Sequence, residues 1–362
     1  MSEASSRPST AIPRAGAPGY LRIATEEAFA TRAMLDLYRR LLADGALDDP
    51  GFASLWGFYL GSQSARAMGI IERLQDLGER RLGDMDESGI DVQILSLTSP
   101  GVQVFDAATA GAVARDANDE LAAAIARHPD RYAGLAAAAP QDPASAAKEI
   151  ERGVRQLGLK GVILNSHTQG EYLDDPKFWP IFEACEALGV PVYLHPNTPS
   201  KAMIAPFVTA GLDGAIYGFG VETGLHLLRI IVSGVFDRFP GLRIVVGHCG
   251  EALPFWLFRL DYMHRATIAS GRYPFMKPLQ RRPSDYLREN VYVTTSGMPW
   301  EPAILFCRSV LGADRVMYAM DYPYQFVRDE VLASDRLPLA PAEKKEFFQG
   351  IAERVFRLPP RG

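Results

Sequence analysis

The sequence predicts an α/β protein built as a (β/α)8 TIM-type barrel with insertions at its C-terminal mouth. Three observations carry this. Eight short apolar runs alternate with longer stretches of helical character along the 362 residues. Four of those runs stop at a residue that binds metals or moves protons, where α/β folds place their active sites. The first run is followed by TEEAFA, with no glycine, whereas a doubly wound nucleotide-binding sheet usually turns there on glycines.

The runs are 21–25 (LRIAT), 91–97 (DVQILSL), 132–138 (YAGLAAA), 160–165 (KGVILN), 190–194 (VPVYL), 242–247 (LRIVVG), 291–295 (VYVTT) and 315–320 (RVMYAM). Most are rich in β-branched or aromatic residues and too short for a helix, so each reads as a buried parallel strand. Between them, 68–88, 108–127 and 143–157 read as helices; the first two carry apolar residues at three- and four-residue spacing. Segments 26–67, 196–240 and 261–288 exceed ordinary βα loops and are expected as insertions at the mouth. An open doubly wound sheet is the alternative architecture.

Residues 1–19, MSEASSRPSTAIPRAGAPG, have no apolar stretch of signal-peptide type and read as a disordered tail. Residues 20–362 read as one domain, with no linker to divide them. Hydrophobic content of 48% and charged content of 22% suit a globular protein with a full core. A net charge of −5 argues against nucleic acid as a partner. No apolar run reaches the roughly 18 residues that span a bilayer. Three cysteines without CxxC spacing argue against a disulfide framework and fit a reducing cytoplasm.

The strand tips hold the chemistry. Glu26, His195 and Asp321 follow the first, fifth and eighth runs. Two carboxylates and one imidazole form a mostly hard donor set that suits a catalytic Mn²⁺ or Zn²⁺ ion. Taken singly, each has a plainer use: Glu26 or Glu27 could cap a following helix, as could Asp321. His248 lies in GHCGE with Glu251 three residues on, a spacing at which a carboxylate can orient an imidazole. A ligand role and an acid/base role are both open to it. Asn165 and His167 follow the fourth run, with His167 open between pocket lining and loop structure. His226 stands four residues after Glu222, the spacing of an intrahelical pair. Arg66 and Arg259 both lie near aromatic residues, a combination that suits a planar carboxylate ligand, although surface ion pairs are the commoner use of arginine.

The stretches IATEEAFATR, SLWGFY, LTSPGVQ, NSHTQG, GFGVETG, GHCGEALP and VMYAMDYPYQ together resemble the amidohydrolase superfamily. More narrowly, they are similar to its metal-dependent, non-oxidative decarboxylases of hydroxybenzoates and aminocarboxymuconate semialdehyde. The likeness runs from about residue 19 to 357. It implies Glu26, His195 and Asp321 as ligands of one divalent ion, manganese ahead of zinc, with His248 beside it and no organic cofactor. It also implies Arg66 and Arg259 as binders of substrate carboxylates, and Thr98, His226 and Tyr324 as pocket lining. Two departures from the wider superfamily point to one metal and away from hydrolysis. Its His-x-His is here Glu26-Glu27-Ala28, and its bridging lysine has no counterpart, Asn165 standing in the region after the fourth strand.

The expected reaction is loss of CO2 from an ortho-hydroxybenzoate of the kind met in lignin-derived aromatic catabolism. Asp321 delivers a proton to the ring carbon that bears the carboxylate, with His248 and Glu251 assisting. Dihydroxybenzoates such as γ-resorcylate are alternative substrates. A mononuclear hydrolase and a non-catalytic barrel are the rival classes. The expected partner is a small aromatic carboxylate, and the resemblance suggests a homodimer or higher oligomer.

Overall fold

The computed structural model describes residues 19–45 and 47–359. The tail expected over 1–19 lies, apart from Gly19, outside the described residues. Among the described residues there are nine strand segments: β1 (Ile23–Phe29), β2 (Val92–Leu97), β3 (Tyr132–Gly134), β4 (Ala136–Ala137), β5 (Val162–Asn165), β6 (Val192–His195), β7 (Ile244–Val246), β8 (Val291–Thr294) and β9 (Val316–Met317). Each pairs in parallel with the next, except that β3 and β4 are separated by Leu135 alone. The Leu135 N–H bonds Leu95 O at 2.8 Å, so these two pieces act as one strand and the barrel has eight. This is the (β/α)8 barrel that the alternation predicts.

Two cores follow from strand alternation. Inside the barrel, Ile23, Ile94, Leu135, Ile163, Tyr193, Val245 and Met317 pack together, and Ile351, Val355 and Phe356 from the C-terminal helical turn close the floor. Outside, a larger cluster fills the space between strands and helices. No helix among the described residues is long and apolar enough to cross a membrane.

The differences from the expected elements have local causes. β1 starts later and runs further than 21–25, so Glu26 and Glu27 lie within the strand and cap no helix. Thr31 caps the following helix, Arg32–Asp44, accepting from Met34 N. The helix expected over 68–88 is two, Ala65–Leu74 and Glu79–Ser88, broken where Asp76 accepts from Gly78 N. Of the last run only Val316–Met317 is paired as strand; residues 318–320 bond to side chains and to Phe347 O instead.

Of the three insertions, the first two stand at the mouth. The first carries the helix Pro50–Gly61, pinned where Trp56 Nε1 donates to Ser99 O at 3.1 Å. The second carries the helix Gly218–Val232. The third, 261–288, continues a long helix, Leu253–Ser270, and none of its residues lines the two cavities at the mouth.

Candidate active site and metal centre

One irregularity in β1 prepares the site. Ala24 pairs with Gln93 but Glu27 pairs with Leu95, so β1 carries one residue more than β2 over that interval, a bulge. Glu26 therefore turns into the barrel mouth. Its Oε2 accepts from Tyr193 Oη and, at 3.3 Å, from Thr294 Oγ1. A Cβ on Gly247 would collide with this carboxylate, which is why the turn after β7 begins with glycine.

The other carboxylate oxygen, Glu26 Oε1, is buried and has no hydrogen-bond partner. It lies 3.4 Å from His195 Nε2 and 3.7 Å from His248 Nε2. His195 is the last residue of β6, and its Nδ1 bonds Pro196 O at 2.8 Å. That bond places the ring proton on Nδ1, so the Nε2 lone pair faces the Glu26 oxygen. Burial also holds the imidazole pKa below its ordinary value, favouring the neutral form. A lone pair facing an unpartnered carboxylate oxygen is a pair of donor atoms that a shared cation would satisfy.

Asp321 completes the donor set. It lies on the turn after β9 with φ of +75°, and burial first, then the Glu26 charge, push its carboxyl up to about 8. A Cβ on Gly297 would stand 3.4 Å from Asp321 Oδ2 and 3.3 Å from His248 Cδ2, so both side chains bracket the same glycine. Among the described residues no group of three or more His, Cys, Asp and Glu side chains is already gathered at ion-holding spacing. The approaches are pairwise, with Glu26 Oε1 as their common point. The donor chemistry, two carboxylates and one or two imidazoles around an orphaned buried oxygen, fits a single hard divalent ion.

His248 rides on an unusual turn. His248, Cys249, Gly250, Glu251 and Ala252 all have positive φ, between 50° and 76°, one left-handed helical turn. Such a conformation costs roughly 1–2 kcal/mol for each residue with a side chain, and strain of this kind collects at functional sites. Its outcome is that His248 Nδ1 meets Glu251 Oε1 at 2.8 Å. Burial works against protonation of His248, but the charges of Glu251 and Glu26 outweigh it and raise the imidazole to about 10.

Two cavities meet over this centre. The smaller, about 170 Å³, is lined by Tyr59, Arg66, His195, His248, Asp321 and Tyr324, among others. The larger, about 630 Å³, shares His248, Asp321 and Gln325 and adds Glu251, Trp256 and Arg259. Arg66 Nη2 donates to Tyr324 O at 3.0 Å. Thr98 sits behind the wall, its Oγ1 2.6 Å from Tyr324 Oη. Arg259 is exposed on the helix that borders the larger cavity. The two arginines thus belong to different walls.

The structure sets His226 apart and corrects its place. Its ring is fully buried and lines neither cavity. Nε2 accepts from Leu173 N at 2.9 Å, and Nδ1 faces Ser166 Oγ at 3.2 Å, which in turn donates to Glu222 Oε1 at 3.3 Å. The two side chains thus meet through Ser166, and together they hold the loop after β5. His167 is likewise spent on loop structure, bonding Thr198 O and accepting from Gly170 N.

Sequence reasoning missed Tyr193, Thr294 and Gln325. Tyr193 was within reach: it stands two residues before His195 on one strand, so both point to the same face. Its phenol, raised by burial and then by Glu26, stays protonated and donates to that carboxylate.

A parallel eight-stranded barrel with acids and imidazoles at its C-terminal mouth is the architecture of the amidohydrolases, and the chain belongs to that family, whose model matches residues 71–358. Its relatives are more specific. A structure of 5-carboxyvanillate decarboxylase from Novosphingobium aromaticivorans, with bound manganese and 3-methoxy-4-hydroxy-5-nitrobenzoic acid, is 58% identical with a TM-score of 0.93, covering 95% of this chain and 99% of that one. The 5-carboxyvanillate decarboxylase of Sphingomonas paucimobilis is 44% identical with a TM-score of 0.88, covering 94% and 100%. Gamma-resorcylate decarboxylase of a Polaromonas species is 38% identical over 298 residues, 80% of this chain and 90% of the relative.

Proposed function

We propose that this protein is a manganese-dependent carboxy-lyase that converts 5-carboxyvanillate to vanillate and CO2. The observation that carries the reading is a juxtaposition: Asp321 faces the cavity that His195 and His248 also line, beside the pair formed by the buried Glu26 carboxylate and His195. The 58% identity to a decarboxylase solved with manganese supports both substrate class and metal.

Glu26, His195 and Asp321 would hold the ion. A bound divalent cation would favour the ionised phenolate, the form of the ring that accepts a proton at carbon, and would orient the carboxylate that leaves. The protein does the rest. Arg66 or Arg259 binds the second carboxylate and fixes the ring. Asp321 passes its proton to the ring carbon that carries the departing carboxylate. The C–C bond then breaks, its electron pair restores the aromatic ring, CO2 leaves, and Asp321 regains a proton from solvent. His248, held by Glu251, hydrogen-bonds the phenolic oxygen during this exchange.

Residues 20–362 act in this reading as one catalytic domain, working on lignin-derived aromatics in the cytoplasm; the three cysteines, buried and free, are compatible with a reducing compartment. The assembly is a homodimer, a reading supported by Phe255, Phe258 and Tyr262, which are 73%, 84% and 52% exposed along one helix.

The test is a screen of the manganese-loaded protein for CO2 release from 5-carboxyvanillate, γ-resorcylate and salicylate, with ester and lactone hydrolysis run in parallel. Release from 5-carboxyvanillate in preference to the others is expected. Preference for γ-resorcylate would move the substrate assignment, and hydrolysis without CO2 would overturn the reaction class.

A further inference from the structure

We propose that Glu27 is the positioning residue that aims the Asp321 carboxylate into the site, by gripping the main chain on both sides of it. The proposal rests on the decarboxylase reading above for the role of Asp321, and on geometry for everything else.

Asp321 adopts φ of +75°, a left-handed conformation that disfavours residues with a side chain, so something must hold it. Its neighbours are held by one carboxylate. Glu27 Oε1 accepts from Met320 N at 3.0 Å and Glu27 Oε2 accepts from Tyr322 N at 3.1 Å, one oxygen for each residue flanking Asp321. Glu27 is fully buried and lies on β1, at the seam where the eighth strand must meet the first. In a regular parallel ladder those amides would bond to main-chain carbonyls. Here the carboxylate takes that place, and the Ala28 N–H adds one main-chain bond to Tyr322 O at 2.7 Å.

Tyr322 is then locked from its other sides. Its hydroxyl donates to Asp84 Oδ2 at 2.8 Å, and its ring lies under the Arg81 guanidinium at 4.5 Å. Arg81, itself fully buried, donates to Ala28 O at 2.6 Å, back on the strand that carries Glu27. The β1 bulge thus lets adjacent residues serve opposite walls: Glu26 faces the ion site and Glu27 holds the acid.

Glu27→Gln tests this. An amide offers one acceptor oxygen and turns an NH2 group toward the second N–H, so one grip is lost and a donor meets a donor. The expected result is a fall in kcat of about 10- to 100-fold, the usual effect of displacing a group that orients a site residue, with KM and manganese content nearly unchanged. Hydrogen–deuterium exchange should rise in the peptide spanning 318–324 and not elsewhere. In an Asp321→Asn background the same change should cost almost nothing further, because residues acting as one unit are not additive. An undiminished kcat, an equal loss in the Asp321→Asn background, or a loss explained by missing manganese would each overturn the proposal. If Glu27→Gln does not fold, Tyr322→Phe removes only the tether to Asp84 and should show the same pattern at about fivefold, the worth of one hydrogen bond; no change there overturns it. Failure of the decarboxylase reading is distinguishable, since the wild-type protein would then release no CO2 while the exchange measurement still reports on the grip.

Discussion

His248 Nδ1 and Glu251 Oε1 lie 2.8 Å apart across a left-handed turn, and this bond decides which end of the imidazole faces the site. With Nδ1 engaged, Nε2 is the atom that looks toward Glu26, 3.7 Å away. Glu251→Gln keeps the shape but removes the charge that fixes the ring and raises its basicity. The expected loss is about 10- to 100-fold in kcat/KM. Steady-state CO2 release measures it, and activity within twofold of wild type would show that the pair is ornamental to catalysis.

Asp321→Asn removes the proton that this carboxyl supplies in the proposed reaction. A loss of roughly two to four orders of magnitude in kcat is expected, the common contribution of general acid catalysis. Manganese per subunit must be measured on the same sample, because the side chain also stands in the donor set. Full metal content together with full activity would remove Asp321 from the acid role.

Arg66 and Arg259 line different cavities, so they should separate by substrate. Loss of one charged hydrogen-bond partner costs on the order of tenfold or more in binding. Arg259→Ala should therefore raise KM for 5-carboxyvanillate by about that factor while leaving kcat nearly constant. Against a monocarboxylate such as salicylate, one of the two alanine variants should leave KM unchanged. The variant that behaves so marks the wall that reads the second carboxylate.

His226 makes a prediction about stability alone. Burial, and then the nearby His167 and Arg229, hold its imidazole down to about 3. Its folded pKa thus lies below the unfolded value near 6.5. The contribution is fully present above pH 6.5 and is lost as pH falls from there toward 3, at a slope of ~1.4 kcal/mol per unit for one proton taken up on unfolding. Urea denaturation between pH 7 and 5 should show that slope, and His226→Gln, which keeps an acceptor for Leu173 N, should be less stable at pH 7 but lack one proton's worth of it. Equal slopes in the two proteins would contradict the buried neutral ring.

Much of this was legible in the chain because it depends on periodicity. Eight short apolar runs, most rich in β-branched or aromatic residues, placed the strands within a few residues, and Glu26, His195, His248 and Asp321 came out grouped around one mouth. What escaped depends on contacts remote in sequence. The bulge in β1 is a register shift against β2, which no property of TEEAF announces. The left-handed turn at 248–252 runs through His, Cys, Glu and Ala, residues that do not prefer it, and at Gly250 the close approach of Val293 and Pro254, remote or downstream in the chain, leaves no room for a side chain. Glu27 looked like a candidate helix cap because its partners lie 293 and 295 positions away. His226 was misplaced because spacing offered a pairing with Glu222 and the resemblance offered the pocket, while Ser166 and Leu173 take its two nitrogens.

The barrel floor has a consequence for how the molecule is made. Ile23 lies on the first strand, yet the interior layer it belongs to is closed by Ile351, Val355 and Phe356, which are made only after all eight strands. A nascent chain that still holds those residues in the exit tunnel carries an unsealed apolar lumen, open at the end opposite the site. That layer cannot close before those residues emerge, and the interval until then is when chaperones have most to shield.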